Sequence, residues 1–201
     1  MTDDKMIGVL GGQDAAHPIR VPCVLIVGRS GAGKTTLIEG LIDRFREDGL
    51  AVGVLKHTSH AVLPDDVGKD TWRFREHQAN PVGLLSGDML TIISRVGRGS
   101  EDEGARGYGR RSSLHFLTSW FAGVDLLIIE GMKSARGPKI EVTSSSAMGD
   151  LMCLQDPELM AVVGPYKMDA GVPFFYRDDI AGIAGFIRSR LEWLRTYRVE
   201  P

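Results

Sequence analysis

The octapeptide Gly28-Arg29-Ser30-Gly31-Ala32-Gly33-Lys34-Thr35 follows directly on the apolar run Val24-Leu25-Ile26-Val27. It precedes residues that repeat at helical spacing, Leu37, Ile38, Leu41, Ile42 and Phe45, with Gly49 as a stop. An apolar run without polar alternation suits a parallel strand covered on both faces, and Pro22 is tolerated at a strand start. Gly28, Gly31 and Gly33 let the chain turn tightly and aim successive backbone N–H groups inward, and the helix that follows adds the positive end of its dipole. Such a turn replaces the water around a phosphate chain with fixed donors. The spacing is that of the G-x-x-x-x-G-K-[ST] phosphate loop, the P-loop, in its required strand–loop–helix setting. Lys34 is expected to reach β- and γ-phosphates and Thr35 to offer its hydroxyl to Mg²⁺. The nucleotide-binding set is Gly28, Ser30, Gly31, Ala32, Gly33, Lys34, Thr35 and Thr36.

Further strands are expected at about Leu50–Leu55, Val82–Leu85, Leu90–Ser94, Val124–Ile129, Lys139–Thr143 and Leu159–Val163, with a helix from Lys69 to about Gln78. A closing helix is entered at Asp178 or Asp179, and Ile180, Ile183, Ile187, Leu191 and Leu194 mark its buried stripe. Strands alternating with helices predict an α/β chain, a three-layer P-loop NTPase fold with a mostly parallel central sheet. At 201 residues there is room for one such domain, residues 21–201, after an N-terminal extension, residues 1–20, without a clear period. Residues 97–111 are rich in glycine and charge and lack periodic apolar positions, which predicts a flexible loop.

The balance of 24 basic and 26 acidic side chains leaves no field that would draw the chain to nucleic acid or anionic lipid. Cys23 and Cys153 are too few for a disulfide framework or a cysteine zinc site, and a reducing cytoplasm fits. No run approaches the ~18 apolar residues of a membrane span.

Mg²⁺ requires near-octahedral oxygen coordination, so carboxylates are expected near Thr35. Glu130 ends the apolar strand and is followed by Gly131, at the sheet edge where ligands of open α/β folds bind. Asp65 and its neighbour Asp66 lie in the polar stretch after the second strand. Lys56-His57-Thr58-Ser59-His60 follows that strand directly. His57 and His60 read either as a metal pair or as solvent- or phosphate-facing groups, with no third nitrogen or sulfur ligand at zinc-like spacing. Arg73 and Arg75 read as phosphate contacts or as a wet helix face. Tyr166-Lys167-Met168-Asp169 is similar to the Asn-Lys-x-Asp guanine reader of GTPases but lacks the Asn, and an exposed loop is an equal alternative.

Several segments, in order, resemble the MobB family of GTP-binding adaptors in molybdopterin-guanine dinucleotide biosynthesis. They are the P-loop, Lys56-His57-Thr58-Ser59-His60, Asp65 with Gly68-Lys69-Asp70-Thr71, Arg75 with Ala79, Val124 to Lys133, and Lys139-Ile140. The resemblance implies a homodimer that binds GTP with Mg²⁺ and is at most a slow GTPase. It would assist the molybdenum cofactor guanylyltransferase that joins GMP to molybdopterin, with molybdopterin or a molybdoenzyme as further partners. It favours Asp65 over Asp66 and gives Thr35, Asp65 and Glu130 as the metal side. Lys56, His57, His60, Lys69, Asp70, Arg75, Gly131 and Lys133 are the other candidate site residues. Departures are His77-Gln78 in place of a small pair, the length of the 97–111 stretch, and the first 20 residues. Two further functions are compatible with a P-loop. One is a small-molecule kinase with Arg98, Arg106, Arg110 and Arg111 as a lid. The other is a nucleotide-gated metal-delivery protein using His57 and His60.

Overall fold

The computed structural model describes residues 21–58, 66–77, 79, 82–93, 121 and 123–197. The apolar run forms strand β1 (Cys23–Val27), every residue of it buried. Side chains alternate across a strand, so Val24 and Ile26 enter one core while Cys23, Leu25 and Val27 enter another. Strand β5 (Leu126–Glu130) divides in the same way, with Leu126 and Ile128 on one side and Leu127 and Ile129 on the other.

The first core is closed by helix α1 (Lys34–Glu47) and helix α3 (Ile180–Arg188). Leu37, Ile38, Leu41 and Phe45 of α1 meet Ile183 and Ile187 of α3 over the sheet. On the opposite face Ala135, Leu151, Cys153 and Met168 pack from irregular segments. Among the described residues six strands form the sheet, β2 (Val52–Lys56), β5, β1, β6 (Lys139–Val142), β7 (Leu159–Gly164) and β8 (Phe174–Tyr176), in the order β2-β5-β1-β6-β7-β8. Every pairing is parallel. Parallel neighbours share their carboxyl edge, so the P-loop after β1, Glu130 ending β5 and Lys56 ending β2 come to one rim.

Three expectations are corrected. The segments read at Val82–Leu85 and Leu90–Ser94 form β3 (Val82–Ser86) and β4 (Met89–Ile93), an antiparallel hairpin apart from the central sheet. Only Gly87 and Asp88 separate them, far too few for the crossover that parallel pairing needs. The closing helix is broken. It stops at Arg188 and a short α4 (Leu191–Leu194) follows, because the chain tightens at Arg190, whose N–H donates to the Ile187 carbonyl at 2.9 Å. Arg190 Nη1 and Ser189 Oγ also donate to the Phe186 carbonyl, at 3.0 and 2.9 Å, and draw it off the helical ladder. Leu194 is nonetheless fully buried. Finally, β8 was not anticipated: it is three residues long, too short for a period to register.

The helix expected from Lys69 is α2 (Asp70–Glu76), which packs on β3. The extension 1–20 and the loop 97–111 lie outside the described residues. Among the described residues no helix is long and apolar enough to cross a membrane.

Candidate functional site

The P-loop backbone takes the conformation that its glycines permit. Gly28 has φ +145°, and a Cβ there would collide with the carbonyl oxygen of Val142 on β6. The loop therefore passes against the neighbouring strand with no room for a side chain. Gly33 caps α1 in the left-handed region, with no side-chain cap bond and no acidic residue in the first turn. The helix thus keeps its unpaired N–H groups and positive end for an external anion.

Lys34 Nζ donates to the carbonyls of Gly28 at 3.0 Å and Arg29 at 2.8 Å, which curls the ammonium over the loop. Thr35 Oγ1 lies 3.3 Å from Glu130 Oε1 and 3.5 Å from Oε2 and donates to that carboxylate. Lys56 Nζ is 3.4 Å from Glu130 Oε2. The parallel register places Glu130 opposite both Ile26 and Lys56. Glu130 is thus a carboxylate with a hydroxyl on one side and a cation already attracted to it. A hydroxyl beside a carboxylate is a hard oxygen pair that fits Mg²⁺, and the ammonium at Glu130 marks that point as favourable for positive charge.

The turn after Glu130 is tight. Gly131 has φ +96°, and a Cβ on it would come 2.8 Å from the His57 carbonyl oxygen. His57 N–H donates to the Glu130 carbonyl at 2.9 Å, so its backbone ties β2 to β5 at the rim. His57 and Lys133 are exposed there. Lys69 and Asp70 are exposed at the start of α2, where Arg73 lies 4.0 Å from Asp70, and Arg75 is half-buried on the same helix. Asp65 and His60 lie outside the described residues, as do Arg98, Arg106, Arg110 and Arg111. Among the described residues no group of three or more His, Cys, Asp or Glu side chains could hold a metal ion. Burial raises the thiol of Cys23 to about 12; burial, with help from Glu141 and Asp156, raises that of Cys153 to about 11.

Sequence reasoning missed three polar groups near the loop. Glu141 on β6 is buried and accepts from the N–H groups of Met152 at 2.7 Å and Cys153 at 2.8 Å, which fixes the segment beside the P-loop. Arg177, just after β8, donates from Nη2 to the Thr143 carbonyl at 3.0 Å and lies against Gly33. Tyr176 lines a cavity beside α1. The polar–apolar alternation Lys139-Ile140-Glu141-Val142 was a signal for Glu141; for the residues after β8 the short strand left none.

The family model for molybdopterin guanine dinucleotide synthesis protein B (MobB) matches residues 23–165. The chain is 29% identical over 177 residues to the probable molybdopterin-guanine dinucleotide biosynthesis adapter protein of Bacillus subtilis, covering 85% of this chain and 94% of that one. It is 29% identical over 180 residues to the adapter protein of Haemophilus influenzae, covering 89% and 92%. Among solved structures, a molybdopterin-guanine biosynthesis protein B superposes with TM-score 0.62 at 31% identity, covering 85% of this chain and 99% of the other. Bacillus subtilis MobB gives 0.63 at 26% identity, covering 84% and 97%.

Proposed function

The chain belongs to the MobB family, and from that premise we propose that it is a GTP-binding adaptor with weak GTPase activity that assists attachment of GMP to molybdopterin. The observation that carries this reading is the meeting of Thr35 and Glu130 at the mouth of an open helix N-terminus. A hydroxyl and a carboxylate beside a phosphate loop are what a metal-bound triphosphate would require, and this supports the reading. The relatives' names supply the pathway, since they are called biosynthesis adapter proteins.

In this reading the loop N–H groups and Lys34 bind the β- and γ-phosphates, while Thr35 and Glu130 hold Mg²⁺, with Asp65 as a second carboxylate. There the ion would supply positive charge to offset that of the phosphate oxygens. Fast hydrolysis takes an arginine at the γ-phosphate and an oriented water. Arg29 donates to the Asp150 carbonyl at 3.4 Å and Arg177 to that of Thr143 at 3.0 Å; slow turnover is part of the proposal. The adaptor role then rests on the bound state, which presents a surface to the guanylyltransferase. The two buried free thiols fit a reducing cytoplasm.

A homodimer is part of the proposal. Hairpin β3–β4 exposes Leu84 and Met89 on one face and Leu85 and Leu90 on the other, Leu85 to 73%, and exposed apolar side chains on both faces of a hairpin mark a protein-binding surface. Analytical ultracentrifugation of wild type and Leu85→Glu is the check: wild type sediments as a dimer and the variant as a monomer.

The central experiment is titration of GTP and ATP, each with Mg²⁺, against wild type and Lys34→Ala. GTP binds the wild type and the variant loses it. Binding of neither nucleotide to the wild type would sink the reading, and a strong preference for ATP would remove it from GMP transfer.

A further inference from the structure

A cavity of about 780 Å³ opens between α1 and the carboxyl ends of β7 and β8, lined among others by Thr36, Glu39, Gly40, Tyr176, Arg177 and Asp178. Thr36 directly follows the expected metal-binding Thr35, and Gly40 lies one helical turn further on, so the cavity continues from the P-loop along α1. Its volume is in the range of small-molecule sites. Tyr176, the last residue of β8, and the two residues that follow it differ in how they are engaged. Tyr176 is half exposed, its ring set edge-on to Phe174 with centroids 5.4 Å apart. Arg177 is fixed by Thr143 and packs on the loop, where a Cβ at Gly33 would meet its guanidinium at 3.4 Å. Asp178 is exposed and its carboxylate makes no hydrogen bond or ion pair among the described residues. Its neighbour Asp179, by contrast, is used up capping α3, accepting from Gly182 N–H at 2.9 Å.

We propose that this cavity takes the guanine base of the nucleotide whose phosphates sit on the P-loop, with Tyr176 stacking on the ring and Asp178 accepting from its N1–H and 2-amino groups. The proposal rests on the nucleotide reading above and adds to it the residues that choose the base. An ionised carboxylate is acceptor-only. Guanine presents two adjacent donors on its Watson–Crick edge, whereas adenine places the acceptor N1 there, so an unpaired carboxylate at the base discriminates by an unmet lone pair. A half-exposed aromatic ring adds stacking that any base would accept. Arg177 is a positioning residue that links β6, the P-loop and this wall. The segment Tyr166-Lys167-Met168-Asp169 does not supply the reader. None of the four lines the cavity, Met168 is buried, and Asp169 accepts from the Gly171 N–H at 3.4 Å.

The test is calorimetric titration of GTP, xanthosine triphosphate, ATP and inorganic tripolyphosphate, each with Mg²⁺, against wild type, Asp178→Asn, Glu39→Gln and Tyr176→Ala. Wild type prefers GTP. Asp178→Asn weakens GTP by about tenfold to a hundredfold, the scale of one paired base edge. It also strengthens xanthosine triphosphate, whose C2 carbonyl accepts from the new amide, and leaves tripolyphosphate unchanged. Tyr176→Ala weakens all three nucleotides alike and spares tripolyphosphate. An unchanged ratio of GTP to xanthosine triphosphate in Asp178→Asn, with tripolyphosphate still bound, overturns the base assignment alone. So does a switch produced by Glu39→Gln instead. Failure of wild type to bind both GTP and tripolyphosphate overturns the nucleotide reading and this proposal with it.

Discussion

Thr35 Oγ1 and Glu130 Oε1 stand 3.3 Å apart although 95 positions separate them in the chain. The contact exists because β1 and β5 are parallel neighbours with Ile26 opposite Glu130, so the loop after one strand and the last residue of the other share a rim. Glu130→Gln keeps the shape and removes the charge. The variant is expected to need about tenfold to a hundredfold more Mg²⁺ to reach full GTP affinity, while binding measured in EDTA stays as in wild type. Equal Mg²⁺ dependence in the two proteins would remove Glu130 from the metal side.

Gly28 and Gly31 both have positive φ, at 145° and 73°, but of the two only Gly28 faces an obstacle, the Val142 carbonyl; among the described residues nothing lies within 4 Å of a Cβ at Gly31. Gly28→Ala therefore combines backbone strain with a collision and is expected to cost about 2–3 kcal/mol. Gly31→Ala carries the strain alone, about 1 kcal/mol. Urea unfolding of both variants is the check, and an equal loss in the two would show that the loop can withdraw from β6.

Lys139 is buried at 1% exposure, with Nζ 2.8 Å from Asp156 and 3.6 Å from Glu158. Burial pushes the Asp156 carboxyl up, but the Lys139 hydrogen bond, the Glu158 N–H and the Lys139 charge outweigh it and hold the group below its ordinary 3.8. A depressed carboxyl stabilises the fold above its unfolded pKa, and that stability is lost as the pH falls below about 4 and through the folded value. Asp156→Asn is expected to be less stable at pH 7 by about 2 kcal/mol, because a buried ammonium loses its nearer partner while Glu158 and the Gly137 carbonyl remain. Its unfolding midpoint should also fall less between pH 5 and pH 3 than that of wild type. A steeper acid fall in the variant would contradict this.

Both cysteines are buried, and burial raises the thiols to about 12 at Cys23 and about 11 at Cys153. The thiolate is the reactive form, so at pH 8 the native protein should resist a thiol reagent, and both groups should react once urea has unfolded it. Rapid native reaction at either position would show that its segment opens locally.

Contiguous residues specify one part of this protein without help from the fold. The apolar run, the glycine spacing and the helical stripe specify β1, the P-loop and α1, because a strand, a tight turn and a helix each follow from neighbours in the chain. Glu130 was legible for the same reason, as the first polar residue after Leu126-Leu127-Ile128-Ile129. The tertiary structure decided which distant groups meet. Strand order put Lys56 on Glu130, and the path of the chain after β6 put Met152 and Cys153 over the Glu141 carboxylate. The fold also brought Tyr176, at the end of a strand too short to announce itself, and the Arg177 and Asp178 that follow it against the first turns of α1. Local periodicity carries no information on register between strands that are remote in the chain. That is settled only when both faces of the sheet are packed at once.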